Sequence, residues 1–183
     1  MRELLLEKSP AALFTDWLCN LVSEEQFTML AALRRPGGFK GPGFTAAHFA
    51  PLPTQQPVFE YVAFLFACYH AERGVPDRGY GDMGSALRRV GSGAGRGPGD
   101  PGAARLMDRL VTSHHIPRRP LHLAIARIRT GGTMPPSWTR LTEDLSVWKA
   151  REPYGRNVRY DWVRSFCLPT PAPVRTLATG GST

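Results

Sequence analysis

Cysteine is scarce: the 183 residues hold three, Cys19, Cys68 and Cys167, far apart and odd in number. Such spacing argues against a disulfide framework or a zinc site. All three lie in apolar surroundings and are expected to be buried thiols, with the cytoplasm as the natural compartment. Long hydrophobic runs are missing too. The longest, Tyr61 to Tyr69, falls far short of the roughly 20 residues that a membrane span needs. The opening Met1-Arg2-Glu3-Leu4-Leu5-Leu6-Glu7-Lys8 carries too short an apolar run for a signal peptide. The expectation is therefore a cytoplasmic protein with no membrane contact. No stretch alternates polar and apolar residues convincingly, so strands are not expected.

Catalytic constellations are equally hard to find. Gly97-Pro-Gly-Asp-Pro-Gly102 matches G-x-G-x-x-G literally, but it follows no strand and contains two prolines, against a dinucleotide site. No Gly-Lys-Ser/Thr follows a glycine loop. His114-His115 diverge by about 100° on a helix and face no second cluster, so a helix-end cap is the better reading than a metal site. Glu143-Asp144 lie opposite an apolar seam, where a solvated face is the ordinary explanation. No serine sits in a nucleophile elbow. The chain is expected to be no enzyme, with no cofactor and no metal.

What is abundant is arginine. Net charge is +8, and Arg supplies 20 of the 23 cations. A planar guanidinium suits multidentate phosphate contact better than an ammonium does. Composition bias alone also enriches Arg, Ala, Gly and Pro, so distribution decides. Residues 1–90 hold 9 basic and 9 acidic residues, whereas 103–167 hold 12 basic and 5 acidic. A concentrated excess reads as an electrostatic footprint.

Hydrophobic periodicity and caps predict an all-α protein of about eight helices in two small bundles, joined by a Gly-rich connector. Ser9-Pro10 starts a helix with Leu13, Phe14, Trp17, Leu18, Leu21 and Val22 on one face. Ser23-Glu24-Glu25-Gln26 has the form of a capping box for a second helix that stops at Pro36-Gly37-Gly38. A loop over 36–56 precedes a helix from Pro57 to Tyr69, apolar almost all round and so expected at the centre. A short helix near Met83–Val90 is expected to expose Arg88 and Arg89. Asp100-Pro101, Pro117, Ser137 and Asn157 open four more helices. Trp138, Leu141, Leu145 and Trp148, at three- and four-residue steps, form a packing seam. The resulting division is 1–90 for an N-terminal bundle, 91–102 for the connector, 103–167 for a basic C-terminal bundle and 168–183 for a loose tail.

Basic pairs recur at expected helix ends: Arg34/Arg35, Arg88/Arg89 and Arg118/Arg119, with Arg105 and Arg109 one turn apart on one helix. Such placements suit phosphate contacts that carry no sequence information. A helix-turn-helix over 103–130 is conceivable, but its second helix begins Pro-Arg-Arg-Pro and lacks base-reading Gln, Asn and Ser.

The order of several blocks resembles the CasB family, the small subunit of the type I-E CRISPR complex Cascade. They are Trp17-Leu18, Leu33-Arg34-Arg35, Met83 to Arg89, Ala104 to Leu110, Trp138 to Trp148 and Val158 to Phe166. Two departures stand out: the glycine-rich stretch 91–102 is longer than the family's usual connector, and Ala124 follows His122-Leu123 where the family tends to have Arg. The resemblance implies two helical bundles and a non-catalytic role stabilising the R-loop in antiviral defence. It implies as partners the Cascade backbone and large subunits, a second copy of the chain, and guide RNA and target DNA held through their phosphates. Carried over by position, the contact candidates are Arg34, Arg35, Arg88, Arg89 and Arg105; the residue reading adds Lys40, Arg109, Arg118 and Arg119. A stand-alone helical DNA-binding regulator is the other reading.

Overall fold

Side-chain caps set where most helices begin. In the computed structural model, which describes residues 8–35, 41–148 and 157–168, five caps accept a backbone N–H three residues on. Ser9 starts α1 (Pro10–Ser23), Asp82 starts α5 (Met83–Arg88) and Asp100 starts α6 (Pro101–Val111). Ser137 starts α8 (Trp138–Ser146), and Asn157 starts α9 (Val158–Cys167). Each satisfies a donor that the first helical turn would otherwise leave open. Pro117 precedes α7 (Arg118–Thr130).

The remaining helices are α2 (Phe27–Leu33), α3 (Pro42–Ala47) and α4 (Gln56–Tyr69), giving nine α-helices and no strand among the described residues. Two local expectations are corrected. Ser23 is the last residue of α1, not a cap, and Gln26 precedes α2 without a side-chain cap bond. The turn is made by Glu25 in the left-handed region, at φ 53°. The expected loop 36–56 also contains α3, whose six residues are too few for a periodicity signal. Pro42 at its first turn was the available cue.

α4 forms the centre, as its composition predicts: Val58, Phe59, Val62, Ala63, Leu65 and Phe66 are all buried. It packs against α2 and α3 on one side and α7 and α8 on the other, while α1 also packs on α8. One buried core thus runs from Phe14 to Phe166, across both sides of the glycine-rich connector. That connector contains two short 3-10 turns, Gly93–Gly95 and Gly97–Gly99. The tryptophan seam faces inward, with Trp138 and Trp148 both buried. Trp138 donates from Nε1 to the Asp77 carbonyl at 2.9 Å, and Trp148 to that of His115 at 3.0 Å.

Asp144 corrects the expectation of a solvated carboxylate. It is fully buried and accepts the Trp162 Nε1–H at 2.7 Å, with the Arg140 Nε 3.1 Å away. Glu143 beside it is exposed. Of the thiols expected to be buried, Cys19 is; Cys68 is half-buried and Cys167 exposed.

Candidate nucleic-acid interface

The arginines divide into two sets. Those of the first set are consumed by the fold. Arg88 Nη1 donates to the carbonyls of Phe166 and Cys167 at 2.8 and 2.9 Å, closing the C-terminal end of α9. Arg89 Nη2 donates to the carbonyls of Tyr80, Met134 and Pro135 at 2.9, 3.1 and 3.1 Å. Both side chains are half-buried, which corrects the expectation that this pair projects from an exposed helix end. Burial pulls the Arg89 guanidinium below the usual arginine value. Chain distance hid these clamps: Arg88 and Phe166 lie 78 residues apart.

Other cations are equally occupied. Arg127 reaches both carboxylate oxygens of Asp100 at 2.8 Å. The Ala103 amide, with the Arg127 guanidinium behind it, holds the Asp100 carboxyl below the usual carboxylate range. Arg129 donates to the Ala71 carbonyl at 2.6 Å, and Arg78 pairs with Asp16 at 2.6 Å.

The second set is open. Arg34, Arg35, Arg105, Arg109 and Arg119 are exposed and find no protein acceptor among the described residues. Arg118 is exposed with its guanidinium 5.1 Å from the Tyr61 ring centre, while the Tyr61 hydroxyl donates to the Arg118 carbonyl. Arg164 on α9 is also exposed with no acceptor among the described residues; it has no basic neighbour in sequence and so forms no pair to be spotted. Lys40 lies outside the described residues.

Local electrostatics do not explain all of these positions. Arg34 and Arg35 follow α2, where the helix dipole favours cations. Arg105 and Arg109, however, are like charges four apart on α6, an arrangement that destabilises a helix by a few tenths of a kcal/mol. Arg118 and Arg119 occupy the first turn of α7, the positive end of its dipole.

No group of three or more His, Cys, Asp or Glu among the described residues could hold a metal ion, and His114 and His115 are exposed. No described helix is long and apolar enough to cross a membrane.

Residues 29–166 match the family described as CRISPR-associated protein Cse2, which covers most of the chain. The chain belongs to the Cse2 family. Cse2 is CasB, the small subunit of type I-E Cascade, so the resemblance carried by the sequence blocks identifies the same family. No curated protein and no solved structure matches the chain. The Cse2 match begins within α2 and ends at the last buried residue of α9, so it spans both sides of the connector.

Proposed function

We propose that this Cse2 chain is a non-catalytic clamp for nucleic-acid backbone within Cascade, stabilising the R-loop through phosphates while guide pairing reads the sequence. Its open arginines face guide RNA and target DNA, and its partners are the backbone and large subunits and a second copy of the chain. One observation carries this reading. Arg105, Arg109, Arg118 and Arg119 are exposed and without protein acceptors among the described residues, and Arg118 and Arg119 stand at the positive end of their own helix. Arg34 and Arg35 extend the set. Arg88 and Arg89 act in it by holding α5, α9 and the 134–135 loop in place rather than by touching phosphate.

The test is a salt series of binding to random-sequence single strands and duplex, with wild type and the variant R105A/R109A/R118A/R119A. Wild type is expected to bind without sequence preference. Four lost phosphate contacts should flatten the log–log salt slope on single strands by about 3. The same variant in rebuilt Cascade should weaken target binding. Undiminished target affinity would overturn the assignment. Tight, sequence-selective duplex binding would instead point to a regulator.

A further inference from the structure

Arg118 stands at the rim of a half-open cleft of about 550 Å³, bounded by the start of α4, the 115–116 loop and the end of α8. The volume is ample for a single ring system. Its walls are mainly apolar, from Pro57, Val58, Ile116 and Leu145, and among the described residues Arg118 is the one lining residue of fixed charge. No carboxylate lines it among the described residues. Gln55, on the same wall, has its Oε1 buried and without a partner among the described residues.

The rim is also fixed before anything binds. The His115 carbonyl accepts from the Ser113 hydroxyl at 2.7 Å and from Trp148 Nε1 at 3.0 Å. The Arg118 carbonyl accepts from the Tyr61 hydroxyl. An apolar slot with an exposed guanidinium at its rim matches a nucleotide: a flat ring joined to a phosphate. It matches an acidic peptide less well, because only the charge would be answered.

We propose that this cleft receives one unstacked nucleobase of a single strand, while Arg118 and Arg119 hold the adjoining phosphate. The proposal rests on the backbone-clamp reading and deepens it: the strand held here is single, because a paired base cannot leave its stack without cost. Burying one base gives affinity that salt does not screen, unlike the phosphate contacts.

The test compares the full chain's binding to a random single strand and to a fully abasic strand of equal length and charge. Thr54, exposed on the cleft wall, is changed to Trp to fill the space. Wild type should bind the abasic strand about tenfold more weakly, at an unchanged salt slope. Thr54→Trp should lose about the same on the intact strand and little more on the abasic one. Equal wild-type affinity for both strands would overturn the base pocket and leave the phosphate clamp standing. No binding to either strand at low salt would overturn the clamp itself. If Thr54→Trp binds the intact strand normally yet fails to join rebuilt Cascade, the cleft seats a protein neighbour and the base assignment is wrong.

Discussion

Two regions use the same side chain in opposite ways. Where α5, α9 and the 76–82 loop meet, the guanidiniums of Arg88 and Arg89 are spent on backbone. Arg88 ties down the end of α9, and Arg89 gathers three carbonyls from two loops. Asp82 there accepts from the Ser85 amide at 2.8 Å and the Ser165 hydroxyl at 2.5 Å. Gly84 is pressed so closely to α9 that an added Cβ would fall 1.9 Å from the Trp162 carbonyl oxygen. On the outer face of α6 and the first turn of α7, by contrast, Arg105, Arg109 and Arg119 touch no acceptor among the described residues. An arginine count therefore measures binding capacity poorly. The charges available to a phosphate are those the fold has left unpaired.

The comparison breaks most visibly at Arg89. Arg89→Ala removes the donor for three carbonyls and should destabilise the protein by about 3 kcal/mol, as loss of a half-buried charged hydrogen-bond cluster does. Urea unfolding would measure it as a lower midpoint at unchanged slope. Binding by the folded fraction should keep its salt slope. A stable Arg89→Ala variant with a flattened slope would move Arg89 into the open set.

Acid should loosen the packed corner. His70 is buried and stacked 3.9 Å from Phe66; its Nδ1–H donates to the Phe66 carbonyl at 3.0 Å, and Nε2 accepts the Asp77 N–H at 2.9 Å. Burial depresses its pKa from 6.5 to about 4, so the folded protein keeps it neutral. The unfolded chain binds the proton first. Stability from His70 is thus complete above pH 6.5 and lost as pH falls from 6.5 to about 4, worth about 3 kcal/mol in all. Asp16 and Asp100, whose carboxyls sit below their usual range, contribute losses only at lower pH. Urea midpoints across that window should show the slope in wild type and lack it in His70→Gln. An equal slope in both would place the titrating group elsewhere.

The positions of most helices were legible in the sequence because their signals are local; α3 was too short to give one. Ser9, Asp82, Asp100, Ser137 and Asn157 cap helices whose apolar residues repeat at helical spacing. The fate of the arginines was not, because it is decided by carbonyls remote in the chain: Arg129 meets Ala71 across 58 residues, and Arg89 meets Pro135 across 46. Asp144 failed for the same reason. Its neighbours along the helix suggest a solvated face, while Trp162, from α9, supplies the donor that makes its burial tolerable. Arg105 and Arg109 were read correctly as exposed because helical geometry alone puts them opposite Met107 and Leu110.

The smallest expected effect sharpens the contrast furthest. R105A/R109A should change folding stability by less than about 0.5 kcal/mol, and in the stabilising direction. The substitutions remove a repulsive pair and supply the best helix former at two exposed positions of α6. Thermal unfolding and strand binding measured on the same preparation should then move apart: an unchanged or slightly higher Tm, with weaker binding and a salt slope reduced by about 1.4. Should the two fall together, Arg105 and Arg109 would belong with Arg88 and Arg89 as structural cations, and the outer face of α6 would lose its claim to phosphate.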